Sequence, residues 1–179
     1  MAENLMVLEE AQAIVLEHVH PTPVVEVPLH LAAGLPAAAD LATDIDLSPF
    51  ANSAMDGYAV RACDLADASA DFPVELVVIG HEAAGHVFEG AVEEGCAVRI
   101  MTGAPMPAGA DAVVKYEIVE LMEGDGNEGS TVRFTASAQV GDNVREAGLE
   151  ARSGEAVMRE GEVLAPAGCG LLASAGITA

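Results

Sequence analysis

The 179-residue sequence is short of aromatic residues and of cations. It has no Trp, two Tyr and four Phe, so aliphatic residues and Met must build most of its core. Lys and Arg number seven against 29 Asp and Glu, which gives a formal net charge of −22. Without a basic stripe the chain cannot displace counterions from phosphates, so we predict no nucleic-acid partner. The hydrophobic share of 51% predicts a globular chain.

Cysteine is sparse as well, and long apolar runs are missing. Cys63, Cys96 and Cys169 are isolated, and without a C-x-x-C pair they predict neither a zinc site nor a disulfide framework. Small buried hydrophobes in a reducing compartment are the simpler explanation. No apolar run approaches the length of a membrane span, and the N-terminus is acidic where a secretion signal needs basic residues. We therefore expect a cytoplasmic protein without a membrane partner.

The acidic residues are spread along the chain and do not form a tail. An even acidic surface suits a salt-rich cytoplasm, because screening removes the self-repulsion that would strain the fold at low salt. We predict a salt-adapted protein whose melting temperature rises as salt is raised toward molar concentration. Thermal melts across a salt series measure this, and a melting temperature that stays level or falls would contradict it.

The first part of the chain predicts one amphipathic helix over residues 4–20. Asn4 can cap it, and Pro21 ends it. Its apolar stripe recurs at helical spacing, at Leu8, Ala11, Val15 and Val19. A short strand or extended piece at 24–27 and a one- or two-turn helix closed by Gly34 follow.

Beyond residue 70 the pattern is that of short strands. β-Branched runs occupy 74–79 (ended by Gly80), 97–101, 112–115 and 131–134, and later runs occupy 156–158 and 163–164. A short apolar helix over 168–174 follows them, with Gly176 at its C-terminal cap. Strands at this spacing without helices between them predict a compact β-barrel or sandwich.

Residues 49–60 hold the densest group of polar side chains. Asn52, Ser53, Asp56 and Tyr58 fall within seven positions, and no strand or helix period runs through them. Asp56 with Gly57 indicates a turn, because Gly adopts positive φ at no steric cost. The stretch is either a binding loop on a rigid scaffold or an ordinary polar hairpin turn, and composition alone slightly favours the turn.

Residues 101–111 are a second candidate site. Thr102 and Gly103 follow a predicted strand and can offer a hydroxyl and successive amides to an oxyanion. Pro105 and Pro107 stiffen this loop. A Pro-rich hairpin loop without any ligand is the alternative.

Arg145 and Glu117 are further candidates. Arg145 can grip a phosphate or carboxylate in a bidentate fork, or make a structural salt bridge in this acidic chain. Glu117 can help to hold Mg²⁺, which favours one or two carboxylates plus substrate phosphates, or it is one more solvated acid.

Two long motifs resemble one family. Residues 49–60 resemble the P-F-x-N-S-A-M-D-G-Y-A-V motif of the molybdopterin molybdenumtransferases, the family that includes the gephyrin E domain. Residues 99–114 resemble the family's second motif, and residues 161–177 are similar to the segment that leads out of its N-terminal region. The order and length of the motifs make the resemblance specific.

The resemblance implies a β-rich α+β architecture for the N-terminal portion of this family. Residues 1–22 would form a leading helix that packs on a domain absent here. Residues 23–47 and 143–179 would form an elongated, discontinuous linker domain, into which residues 48–142 insert a compact β-barrel-like domain. The α/β pterin-binding domain and the small β domain of the family have no counterpart before Ala179.

The resemblance also implies an activity. The family inserts molybdate into adenylylated molybdopterin and releases AMP with the help of Mg²⁺, and it works as a homodimer whose cleft lies between two subunits. We therefore expect this chain to supply half of a site and to lack turnover alone. The alternatives are a non-catalytic dimerisation scaffold, a split-enzyme subunit, or a generic acidic β-barrel that carries both motifs by coincidence.

Site residues are carried over by matching positions. Asp56 and Thr102 match the catalytic acid and the threonine of the facing loop. Substrate contacts would come from Asn52, Ser53, Gly103 and Arg145, and metal contacts from Asp56, Glu117 and Glu150. Where the family has R-x-x-G-E-D, this chain has Leu149 and Glu150 in place of the Glu and the Asp, which leaves the role of Glu150 open.

Overall fold

The computed structural model describes residues 6–83 and 85–179, which form a β-rich α+β fold. In these residues the helices are α1 (Leu8–Glu17) and α2 (Pro166–Ser174). The strands are β1 (Leu41–Ala42), β2 (Asn52–Ser53), β3 (Gly57–Val60), β4 (Val74–Glu82), β5 (Cys96–Ile100), β6 (Ala112–Lys115), β7 (Glu120–Glu123), β8 (Thr131–Phe134), β9 (Val144–Arg145) and β10 (Ala156–Met158). None of the described helices has the length and apolar character that a bilayer crossing requires.

Six strands form the central sheet, in the order β6-β3-β5-β4-β8-β7. Neighbours are antiparallel except β4 and β5, which run parallel. The sheet is curled like half a barrel and ends at β6 and β7. The predicted β-rich α+β fold class is thus confirmed, whereas a closed barrel is not formed by the described strands.

Alternating side chains of the sheet build a core on each face. Tyr58, Val60 and Phe134 belong to one buried cluster, and Ala59 with Ile100 belongs to the other. Strand β3 lies between β5 and β6 and is buried at all of its positions, which explains why both of its faces are apolar.

The two stretches predicted as a linker domain pair with each other. Strand β1 pairs with β10, and bridges join Pro36 to Val163 and Leu47 to Ala151. Met158, Leu164 and α2 supply the small core of this region. A further pair, β2 with β9, connects it to the loop before β3. The exact domain boundaries stay a prediction.

The leading helix is shorter than residues 4–20. Helix α1 spans Leu8–Glu17 and contains no buried residue, so its apolar stripe is exposed. The proposed cap Asn4 lies outside the described residues. What α1 packs against stays a prediction.

Most predicted strands are confirmed, and four details are corrected. Gly80 does not end β4, which continues to Glu82. Residues 163–164 make only an isolated bridge, and 29–34 hold a single 3₁₀ turn at Leu29–Leu31. Residues 57–60, predicted to lie outside any core strand, form the buried β3.

Candidate functional site

Hydrogen bonds to the backbone fix the shape of the polar loop between β2 and β3. Ser53 donates its hydroxyl proton to the Met55 carbonyl and accepts the Met55 amide proton, with N···O 3.2 Å. The Ala54 amide donates to the Asn143 carbonyl at 2.8 Å. These bonds fix a tight turn that leaves Asp56 exposed at its outer end.

Gly57 is required for a reason that differs from the sequence prediction. Its φ is not positive, and it opens β3 directly opposite Lys115 of β6. A Cβ built on Gly57 would lie 2.1 Å from the carbonyl oxygen of Val114. The glycine therefore permits close approach of two strands, and the positive-φ turn at this position is wrong.

Asp56 and Thr102 come together although 46 residues separate them in the chain. The Thr102 hydroxyl and amide both donate to Oδ1 of Asp56, at 2.7 and 2.8 Å. The hydrogen bond from the Thr102 hydroxyl is the main cause that lowers the pKa of Asp56 below its ordinary 3.8, followed by the bond from the Thr102 amide. The Arg99 charge lowers this pKa further. Asp56 is thus an exposed, ionised carboxylate held in one orientation.

Replacing Thr102 with Val tests this pairing. The variant loses the hydroxyl bond to the ionised carboxylate but keeps the amide bond. We expect the pKa of Asp56 to rise toward 3.8 without reaching it. Carboxyl ¹³C titration by NMR measures the change.

Asp40 provides the internal control in the same titration. Its pKa is lowered by the Glu160 amide and by Arg159, neither of which the substitution touches. An unchanged Asp56 pKa in the variant would contradict the pairing, as would an equal shift at Asp40.

The predicted oxyanion nest is not free in this structure. The amides of Thr102, Gly103 and Ala104 donate to Asp56, to the Ser53 carbonyl and to the Met101 carbonyl, at 2.8, 2.8 and 3.0 Å. Ser53 has no exposed surface and uses its hydroxyl within the turn. Ser53 and Gly103 therefore shape the loops in this conformation, and their roles as donors to an oxyanion stay a prediction.

Asn52 and Arg145 lie opposite each other in the β2–β9 pair. Asn52 is buried, and its side-chain amide donates to the Phe50 carbonyl at 3.4 Å. Arg145 is exposed and makes no salt bridge within the described part of the chain. The structural salt bridge is thus not formed there, and Arg145 remains a cation beside the loop.

The three carboxylates predicted as metal ligands are not gathered. Glu117 is exposed in the 3₁₀ turn Tyr116–Ile118, and the Tyr116 amide donates to the Asp56 carbonyl at 3.0 Å. Glu150 accepts from the Ser48 hydroxyl at 2.9 Å, beside α2. Among residues 6–83 and 85–179, no three His, Cys, Asp or Glu side chains group to hold a metal ion.

Arg99 and Tyr116 were missed by the sequence reasoning. The Arg99 guanidinium carbon lies 4.0 Å from the centre of the Tyr116 ring and 5.2 Å from that of Tyr58. Only the register that places Arg99 opposite Tyr58 reveals this contact. An arginine inside a β-branched run was the one signal in the sequence.

The two loops that meet here are those that carry the family motifs, and comparison with known proteins agrees with them. The family model described as "MoeA N-terminal region (domain I and II)" matches residues 6–176. The molybdopterin molybdenumtransferase of Bacillus subtilis is 41% identical over 139 residues, which are 78% of this chain and 32% of that protein. That of Haemophilus influenzae is 37% identical over 174 residues, 97% of this chain and 41% of that protein.

A solved structure shares the fold as well. The molybdopterin biosynthesis moeA protein from Pyrococcus horikoshii OT3 is similar with a TM-score of 0.79 and 37% identity, over 85% of this chain and 38% of that chain. The fold and the motif-bearing loops are those of MoeA N-terminal regions. The chain belongs to the molybdopterin molybdenumtransferase (MoeA) family. It spans between about one third and two fifths of the length of these relatives, 32% and 41% for the two proteins.

Proposed function

We propose that this chain supplies one wall of a cleft in which molybdate is inserted into adenylylated molybdopterin with release of AMP. The observation that carries the proposal is the pair of hydrogen bonds from Thr102 to the Asp56 carboxylate. They join two distant loops, and both loops carry the family motifs. These hydrogen bonds hold the Asp56 carboxylate in one position, as a reaction that needs a fixed acid requires.

Asp56 attracts a cation or orients a water molecule, and it does not itself contact the molybdate oxyanion. An ionised carboxylate repels molybdate, so its part is to hold a cation or a water molecule. Arg145 is the exposed cation beside the loop and would contact an anionic substrate group.

Magnesium fits one carboxylate of this wall. Within the described residues, Oδ2 of Asp56 makes no hydrogen bond, and Mg²⁺ takes one or two carboxylates plus substrate phosphates. Asp56 would hold the ion. Glu150, bonded to Ser48 beside α2, does not join this set. A bound Mg²⁺ would neutralise charge on the substrate phosphates.

The second wall of the cleft would come from the segments that the relatives possess beyond the matched part. We further propose that the assembly is a homodimer, in which the wall from one subunit faces those segments of its partner. The exposed apolar residues of α1 support an assembly contact.

A chimera tests the proposed function. Residues 6–176 would replace the matched part of the Haemophilus influenzae relative, and AMP release would be measured with adenylylated molybdopterin, molybdate and magnesium. We expect turnover within about 10-fold of the parent enzyme. A folded chimera with no turnover would contradict the function and favour a non-catalytic scaffold.

A further inference from the structure

Arg99 lies at the centre of the site without an acidic partner. In the described part of the chain, Arg61, Arg133 and Arg159 make salt bridges, whereas Arg99, Arg145 and Arg152 make none. The Arg99 guanidinium instead packs beside two tyrosine rings that are stacked on each other with their centres 6.1 Å apart. Cation–π attraction and stacking favour this placement.

One of the two rings is rigidly held. Tyr58 is 1% exposed, packs edge-on against Phe134 with ring centres 6.3 Å apart, and donates its hydroxyl proton to the Gly126 carbonyl at 3.0 Å. It also lies opposite Arg99 in the β3–β5 pair, so both side chains are on the same face. Tyr58 therefore gives Arg99 a fixed support.

The other ring is exposed and connected to Asp56. Tyr116 is 45% exposed, and its amide donates to the Asp56 carbonyl at 3.0 Å. Arg99 packs on this ring and also donates to the carbonyl of Gly57, the residue after Asp56, at 3.5 Å. Arg99 thus contacts the carbonyl directly after Asp56 and the ring of a residue whose amide bonds to Asp56.

We propose that Arg99 is a positioning residue that clamps Tyr116 and Gly57 and so holds the Asp56 carboxylate against Thr102. The proposal rests on the proposed function for its effect on catalysis. Arg99 is half-buried against the two rings, whereas Arg145 is exposed.

The first test is NMR of the 179-residue protein with Arg99→Met. We expect the Thr102 amide signal and the Asp56 carboxyl ¹³C signal, both recorded at one neutral pH, to move because the clamp is lost. Arg99→Lys keeps the charge but not the planar stacking, so we expect both signals to move by a smaller amount. Arg133→Met, on β8 and away from the loop, is the control and leaves both signals in place.

The second test is the kinetics of the chimera carrying Arg99→Met. Positioning predicts a fall in kcat of about 10- to 100-fold with little change in the KM for molybdate. A raised KM with unchanged kcat would overturn the proposal in favour of direct anion binding. Unchanged Asp56 and Thr102 signals in a folded Arg99→Met variant would also overturn the proposal. If Arg99→Met does not fold, the same signals and rates are measured on Arg99→Lys. The NMR result is independent of turnover, so an inactive wild-type chimera counts only against the proposed function.

Discussion

Asp56→Asn in the active chimera is expected to lower turnover by about 100-fold or more, the size that follows from losing one fixed polar group in a site. Asparagine keeps the shape of the side chain and can still accept the Thr102 hydrogen bonds at Oδ1, so the loop stays in place. Only the negative charge is lost, together with the affinity for a cation. Initial rates of AMP release measure the effect.

Asp71→Asn is the matched control, because Asp71 is exposed and lies in the segment before β4. It removes the same charge elsewhere and should leave the rate unchanged. If Asp56→Asn turned over at the wild-type rate, Asp56 would have no role in the reaction.

Gly57→Ala is expected to destabilise the fold by about 3 kcal/mol, the upper part of the range for inserting a methyl group into a packed core. The new Cβ would lie 2.1 Å from the Val114 oxygen and 2.9 Å from its carbonyl carbon, and neither is the end of a flexible side chain. Strand β3 is paired on both sides, so it cannot move away without breaking a ladder. Urea unfolding measures the loss.

Gly170→Ala is the control for this substitution. Gly170 lies in α2 with nothing within 4 Å of the position that a Cβ would take, so alanine should stabilise the protein by about 0.5–1 kcal/mol. A Gly57→Ala variant that unfolds within about 0.5 kcal/mol of the wild type would show that the two strands can separate freely.

The sequence predicts the strands that have a clear residue pattern, but it does not predict a strand whose burial depends on its neighbours. The runs that became β6 and β8 have β-branched residues and clear turns around them, so local preference and tertiary structure agree. Strand β3 follows a polar turn and has no alternation, because it is buried on both faces. Only the neighbours of a strand reveal such burial.

For the site as well, some features were predicted from the sequence and others were found only in the structure. The motif residues Asp56 and Thr102 were identified from the resemblance, and the structure brings them into contact. The amides predicted to face an oxyanion are bonded within the loops, and the sequence did not indicate this because the backbone bonds of a loop cannot be assigned before its fold is known. Arg99 escaped notice because its partners, Tyr58 and Tyr116, are distant in the chain.

Turnover by the 179-residue chain alone tests the central claim most directly, namely that this chain carries one wall of the cleft. The protein would be incubated with adenylylated molybdopterin, molybdate and magnesium, and AMP would be quantified over time. We predict no AMP release above the protein-free control, while the chimera that contains the same residues releases it. AMP formed by the isolated chain, and abolished by Asp56→Asn, would contradict the half-site account.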